Sequence, residues 1–476
     1  MNRAFLGLVT WAAFGVGVLS VERGLRVPAP LSLLGGALSA GALWAVVLLG
    51  RRAAARSLDA VVDRFERVSE PAWLAGCVGL AAALRVAWAA LLTPVQISDM
   101  AIYVELARSL AERGTFQYGA DRIYMPPGLP LVLAPGVNIL GAATYLPLAL
   151  NVLLAAGTIL VVAALSRLLA DGRVLRLATL LVAVWPNLVL LSGLASKELV
   201  VLFLLPLATL LYLRATGARG GRPAATGLLG AGLAFGAATL TQPSTLVLLP
   251  AFAGLEAFRR APVREVVVRL GLFAAGAILL VSPWTVRNAL LFGRFVPVSA
   301  NFGHSVFVGN HPGADGRYQP VRDAYVGMDE IEYDRMALRK GLAWISANPG
   351  EFLALIPRKQ MLFLGDDADG AYHALKWAHG IGDFRYAAAK AASNLFWVGV
   401  LVLVGVSLHA RRDDPALLDP RLALLTLPWF CLLVLLSVTE SGARHHVALA
   451  GFLALLASLA VLSPRSTSPV SGGRES

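Results

Sequence analysis

Long apolar runs recur along this chain and leave it few ways to fold. They lie near residues 5–21, 31–49, 73–93, 145–168, 176–193, 199–213, 226–240, 244–258, 267–284, 390–408, 422–438 and 446–463. Crossing a bilayer core takes roughly 20 helical residues. Backbone that leaves water must pair its own N–H and C=O groups, and a helix does so within each run. Of 476 residues, 57% are hydrophobic and 15% charged; soluble domains are about a quarter charged. No single soluble core buries so much apolar surface, so lipid must cover part of it. The expected fold is an all-α polytopic membrane protein of about 12 transmembrane helices, with outer juxtamembrane helices and a small extracytoplasmic cap. Several runs are short for a span, which calls for tilt or local thinning.

The net charge of +12 does not point to nucleic acid, because the basic residues are scattered in short loops rather than gathered on one face. One set of loops holds Arg51, Arg52, Arg56, Arg173, Arg176, Arg214, Arg219, Arg222, Arg259, Arg260, Arg264, Arg411 and Arg412. The opposite short loops hold only Arg23, Arg26, Lys197 and Arg444. Basic loops stay on the cytoplasmic side, so both termini are expected inside a plasma membrane. Arg3 and the apolar run from Phe5 to Leu19 read as a retained first helix, since no small-residue cleavage site follows. Cys77 and Cys431 sit inside apolar runs, which argues against a structural disulfide.

This orientation divides the chain. Residues 1–70 form two transmembrane helices and a basic amphipathic inner-surface helix at 51–70, with Val61, Val62, Phe65 and Val68 at helical spacing. Residues 71–284 form a transmembrane core whose first outer loop spans 94–144. Within that loop, a surface helix runs from Asp99 to Arg113 and ends at Gly114, and 129–141 reads as a surface or re-entrant helix. Residues 285–389 form a second extracytoplasmic loop with helices at 329–347 and 351–364, separated by Asn348-Pro349-Gly350. Transmembrane helices return at 390–463, and the Ser/Pro/Gly-rich tail 464–476 is expected to be disordered and cytoplasmic.

The same orientation brings Asp99, Lys197, Glu198, Gln242, Arg287, Asn288, Arg444, His445 and His446 to the outer ends of helices. Ionisable groups beside hydrocarbon are costly and tend to mark function, so these are expected to line one outer chamber. Asp99 suits either a helix N-cap or a general base. Lys197 and Glu198 suit either a self-satisfied polar turn or a phosphate contact. Arg287, Asn288 and Arg444 suit interfacial anchoring or bidentate phosphate binding. Adjacent histidines diverge by about 100° on a helix, so His445-His446 is a weak metal signal. Asp366, Asp367, Asp369 and Gly370 read as a solvated turn rather than a calcium loop. No Walker A sequence, dinucleotide fingerprint or nucleophile elbow occurs in a suitable context; an enzyme of this kind needs its substrate already activated.

Several stretches, in order, carry a resemblance. Ser98-Asp99-Met100-Ala101-Ile102-Tyr103, Ala107-Arg108-Ser109-Leu110, Gly114-Thr115-Phe116 and Pro126-Pro127-Gly128-Leu129-Pro130 resemble the first outer loop of GT-C membrane glycosyltransferases. The similarity is to the branch with protein O-mannosyltransferases, aminoarabinose transferases and lipopolysaccharide-core glycosyltransferases. Ser196-Lys197-Glu198, Ser282-Pro283-Trp284-Thr285-Val286-Arg287-Asn288, Gly293, Phe295-Val296-Pro297, Asn301-Phe302-Gly303, Gly309-Asn310, Pro312-Gly313-Ala314-Asp315-Gly316, Asn348-Pro349 and Lys359 continue it across roughly residues 73–463. The resemblance implies a polyprenyl-phosphate-linked sugar as donor and a glycan, lipid or protein hydroxyl as acceptor, with inverting transfer on the extracytoplasmic face. It implies Asp99 as the catalytic base. Lys197, Glu198, Arg287, Asn288, Arg444 and Tyr103 become candidates to contact lipid phosphate or sugar. Met100 and Gln242 depart from the family pattern, which expects a second acidic residue and a basic one; these residues fix no cofactor, and a divalent metal stays an open alternative. The first two helices lie outside the resemblance. The rival reading is a transporter or lipid flippase; against it, the sequence lacks repeated halves and its polar residues avoid the bilayer midplane. A structural membrane protein would leave the shared outer polar face unexplained.

Overall fold

A computed structural model describes residues 2–25, 29–140, 145–170, 172–217, 224–319, 328–410 and 419–459. The chain is an all-helical, multi-pass membrane protein; among the described residues the only β-type pairing is one isolated bridge, Tyr118 to Asp121. It begins with α1 (Asn2–Leu25), α2 (Ala29–Glu66), α3 (Glu70–Leu91), α4 (Ser98–Arg113) and α5 (Gly128–Leu140). The middle comprises α6 (Leu146–Leu169), α7 (Gly172–Val184), α8 (Pro186–Leu190), α9 (Lys197–Thr216), α10 (Ala225–Thr241), α11 (Leu249–Arg259) and α12 (Val263–Phe292). Then come α13 (Phe302–Gly309), α14 (Glu330–Ala347), α15 (Pro349–Leu364), α16 (Asp369–Ala371) and α17 (Phe384–Ala410). α18 (Ala423–Val438), α19 (Arg444–Val447) and α20 (Ala450–Ser458) complete the described chain.

Among the described residues, eight helices are long and apolar enough to cross a bilayer, within α1, α2, α3, α6, α9, α12, α17 and α18; α7 and residues 186–193 form a ninth candidate bent by 44°. The bend falls where Pro186 removes a backbone N–H and Trp185 is extended. Three further expected spans are short or broken. α10 has 17 residues, and the run 244–258 divides into a tight turn at Pro243–Leu248 and the 11-residue α11. The last run divides into α19 and α20, with residues beyond 459 outside the description. Periodicity and apolarity do not separate one long helix from two short ones; proline and local hydrogen bonding do.

Two boundaries differ from expectation. α2 continues without a break to Glu66, so 51–66 prolongs the second helix beyond its apolar span, Leu31–Leu49, instead of starting a separate helix; the side chains of 51–59 and 61 lie outside the description. α12 runs 30 residues through Pro283 and ends at Gly293, whose φ of 63° closes the helix in the left-handed region. Arg287 and Asn288 therefore sit on a helix, not in a loop. The tail 464–476 falls outside the described residues.

Close packing fixes the core. A Cβ added to Gly232 on α10 would lie 2.0 Å from the Phe273 carbonyl oxygen, and one on Gly276 would lie 2.2 Å from that of Leu229. The α10 and α12 backbones touch, as small residues allow when lipid supplies no hydrophobic drive. Tyr212, Phe235, Phe252 and Phe273 pack edge-on or tilted beside that contact.

The basic loops meet at one end of the bundle. There Arg167 pairs with Glu70, Arg173 with Asp63, Arg259 with Glu256, and Arg421 donates to the Leu168 carbonyl. The loop containing α4 and the segment containing α14 meet at the other end. Glu330, in the first turn of α14, accepts backbone N–H bonds from Arg122, Ile123 and Tyr124 at 2.9, 2.9 and 2.6 Å. Asp329 and Glu332 form a capping box at the same helix start.

Candidate functional site

Asp99 lies in the first turn of α4, where a carboxylate suits the helix dipole. It is not the N-cap: Ile97 holds that position, without a side-chain cap bond. Ser98 has φ of 48°, a left-handed conformation that costs a non-glycine residue roughly 1–2 kcal/mol. That strained residue immediately precedes the carboxylate.

The partner of Asp99 comes from the far end of the chain. Arg444 Nη1 lies 3.3 Å from Asp99 Oδ2, and its Nη2 lies 3.8 Å from Glu440 Oε1. His445 Nε2 is 3.7 Å from the same Glu440 oxygen. Burial pushes the Asp99 carboxyl up, but Arg444, aided by Lys197 and His373, overrides it and leaves Asp99 below its ordinary range. Burial likewise opposes ionisation of Glu440, yet His445, Arg444 and Lys197 hold it at about 2. Burial pushes the Arg444 guanidinium down, and Asp99, Glu440, Glu198 and Asp369 hold it above its usual value. The Arg444 and Asp99 side chains remain 25% and 32% exposed, so a substrate can reach both.

What they face is a cavity of about 1080 Å³. Of the residues proposed from sequence for catalysis or substrate contact, Asp99 and Arg444 line it. Lys197, Glu198 and Tyr103 stand behind that wall. Tyr103 is buried, Lys197 Nζ sits 6.0 Å from its ring centroid, and Glu198 accepts a bond from Ser196 at 2.8 Å. Burial first, then Asp99 and Glu198, push the Tyr103 phenol well above its ordinary value. Its hydroxyl has no partner among the described residues.

Arg287 and Asn288 do not line the cavity. Arg287 packs 4.5 Å from the Trp284 ring centroid and donates to the carbonyls of Arg122 and Phe116, beyond the C-terminal end of α4. Asn288 is fully buried and donates to the carbonyls of Val296 and Val298, tying α12 to the chain that follows it. Gln242 is also buried and reaches Ser244. His446 points away from His445: its Nε2 lies 3.0 Å from Asp367, and its ring stacks on Trp397 at 4.6 Å.

The acidic turn corrects the sequence reading. Asp366 and Asp367 are buried, not solvated. Asp367 accepts bonds from Trp185 and Asn187 at 2.7 Å each, and Asn187 in turn accepts from the Gly370 N–H at 2.7 Å. These partners lie some 180 residues away in sequence, so local composition gave no sign of them. The pinned turn delivers Asp366, Asp369 and His373 to the cavity wall. Lys376, Lys390, Arg317 and Glu22 also line it and went unnoticed in the sequence. Glu22 belongs to α1, a helix outside the family resemblance, and accepts a bond from Arg358 on α15 at 2.8 Å. Lys359, on the same helix, is fully buried and donates to Asn310 at 2.8 Å. Burial lowers the Lys359 ammonium to about 8, against an opposing pull from Glu440. Among the described residues, no three His, Cys, Asp or Glu side chains converge in a group that could hold a metal ion.

No protein-family model and no curated protein matches the chain. Solved structures do. The archaeal oligosaccharyltransferase AglB from Archaeoglobus fulgidus, in complex with an inhibitory peptide and a dolichol-phosphate, is 15% identical, with a TM-score of 0.49, over 82% of this chain and 50% of that one. An oligosaccharyltransferase from the same organism, in complex with Zn and sulfate, is 15% identical with a TM-score of 0.47, over 81% of this chain and 48% of that one. ArnT from Cupriavidus metallidurans, bound to undecaprenyl phosphate, is 14% identical with a TM-score of 0.43, over 83% of this chain and 78% of that one. The chain spans about half the length of the archaeal structures it matches. It is similar, at low identity, to solved structures of an archaeal oligosaccharyltransferase and of ArnT.

Proposed function

We propose that this protein is a plasma-membrane glycosyltransferase of the GT-C kind. It moves a sugar from a polyprenyl-phosphate donor to an acceptor hydroxyl on the extracytoplasmic face. The observation that carries the reading is the Asp99–Arg444 pair, reachable on the wall of a cavity large enough for a sugar and its acceptor. Asp99 takes the proton of the acceptor hydroxyl. The acceptor oxygen attacks the anomeric carbon in line, with inversion, and the bond to the phosphate oxygen breaks. Arg444 holds Asp99 in place, keeps it ionised and contacts the departing phosphate, where fixed charge lowers the barrier most. Lys197 acts on the same carboxylates from behind the wall. Glycan, lipid and protein acceptors all offer the hydroxyl this transfer requires.

This orientation puts the cavity outside and both termini in the cytoplasm. A cysteine introduced in the Asp99 loop is expected to react with a membrane-impermeant reagent in intact cells; labelling only after lysis overturns the sidedness. The reaction itself is tested by mass analysis of envelope glycans in a deletion strain, followed by transfer assays in reconstituted vesicles. Asp99→Asn is expected to insert normally and to lose transfer. Transfer at the wild-type rate by that variant would remove Asp99 as the base.

A further inference from the structure

His373 is a second titratable side chain on the cavity wall. Its Nδ1 lies 3.2 Å from Asp369 Oδ2 and 3.0 Å from the Asp369 carbonyl oxygen. Both are acceptors, so Nδ1 carries hydrogen and the tautomer is fixed. Nε2 is left as the ring nitrogen that can exchange a proton. A nitrogen held by a carboxylate is the arrangement that orients an acid or base in many active sites.

The segment around His373 suits a lipid headgroup. Tyr372–Trp377 forms a π-helical turn, a local widening often found at functional sites. The His373 ring stacks on Trp377 at 5.4 Å. Tyr372, Trp377 and Phe384 are 41%, 50% and 83% exposed at the start of the spanning helix α17. Aromatic side chains at a span's end mark the headgroup depth. Lys376 from this segment and Lys390 from α17, the latter 3.8 Å from Asp366, also line the cavity, bringing basic side chains to where a lipid phosphate would lie.

We propose that His373, oriented by Asp369, gives its Nε2 proton to the lipid phosphate as it departs, while Asp99 takes the proton of the acceptor. The inference rests on the transferase reading above and assigns the phosphate to the wall built by the π-turn and α17. The acceptor O–H bond breaks and its proton goes to Asp99. The acceptor oxygen bonds to the anomeric carbon. The carbon–oxygen bond to the phosphate breaks, and its electron pair stays on the phosphate oxygen. That oxygen takes the proton from Nε2, and the proton on Asp99 returns to His373 through solvent. His373 is then a catalytic residue and Asp369 a positioning residue.

The charge around His373 favours the protonated ring. Burial pushes the imidazole down, and Asp369 more than restores it, to above its ordinary value, against opposition from Arg444. Asp99 on α4, Glu440 before α19, Asp366 in the acidic turn, and Lys376 and Lys390 also border this cavity. A raised histidine donates at low pH and stops donating as pH rises through its folded value.

The test uses the full-length protein in detergent and undecaprenyl phosphate as probe, with affinity measured from about pH 6 to 9. The ratio of wild-type to His373→Gln affinity cancels the phosphate's own titration. This ratio is expected to be roughly tenfold at the acid end and near one at the alkaline end. Asp369→Asn is expected to bring the fall to lower pH by about one unit, and it carries the test if His373→Gln does not fold. A ratio that does not change with pH overturns the proposal and leaves the transferase reading standing. Absence of any undecaprenyl phosphate binding by the wild type overturns the transferase reading as well.

Discussion

Two charge clusters sit at opposite ends of α9, and the one at its Lys197 end faces a cavity. At the Thr216 end, Glu256 is 0% exposed and accepts from Tyr212 at 3.0 Å, Arg259 at 3.2 Å and Arg269 at 2.7 Å. Both its oxygens are taken by the protein. At the Lys197 end, Asp99 and Arg444 meet at 3.3 Å while keeping a quarter to a third of their surface open to a cavity of about 1080 Å³. The ingredients are alike: carboxylates, arginines and a buried tyrosine. The difference lies in saturation. A carboxylate whose lone pairs are all used holds helices together, whereas one with capacity left can bind or react.

That contrast can be broken from either side. The largest expected effect is at Asp99. Asp99→Asn should cut transfer in reconstituted vesicles by about 100-fold or more, with unchanged thermal stability. Glu256→Gln should do the reverse. It leaves Arg259 with Thr216 and Arg269 with Glu265 as their remaining partners and should cost about 2 kcal/mol, read as a lower melting temperature, while the rate per folded molecule holds. Arg444→Gln should slow transfer by roughly 100-fold and also move its pH profile. Asp99 is held below its ordinary value, so its basic form is lost as pH falls through that lowered value; without Arg444, burial is opposed only by Lys197 and His373 and the acid limb should shift upward. A limb that stays in place would detach Arg444 from the carboxylate's titration. The smallest effect belongs to Glu22→Gln. Its pair with Arg358 is about a third exposed on both sides, so stability should change by under about 1 kcal/mol while any change in acceptor preference appears in competition assays.

Helices were more legible than contacts. The end of α4 at Gly114, the break at Asn348 and the span limits near 73–93 and 145–168 are written in local signals: glycine, proline and apolar length. The meeting of Asp99 with Arg444 follows from topology, since both fall at the same end of their helices. Arg287 and Asn288 share that end yet serve backbone carbonyls, because sidedness says nothing about which way a side chain turns. The acidic turn was misread for a similar reason. Asp367 is buried by Trp185, Asn187 and His446, which only the folded chain brings to it. The contribution of α1 to the cavity was equally hidden, since nothing local links Glu22 to Arg358 across 336 positions.

The Asp99–Arg444 pair spans 345 positions, and the Glu330 clasp on the first loop spans up to 208. At about 5–20 residues per second, a ribosome that has inserted Asp99 needs tens of seconds more to supply its arginine. Throughout that interval the carboxylate stands without its counter-ion at the edge of a half-built bundle. On the transferase reading, a nascent chain lacks its catalytic pair until its final helices arrive.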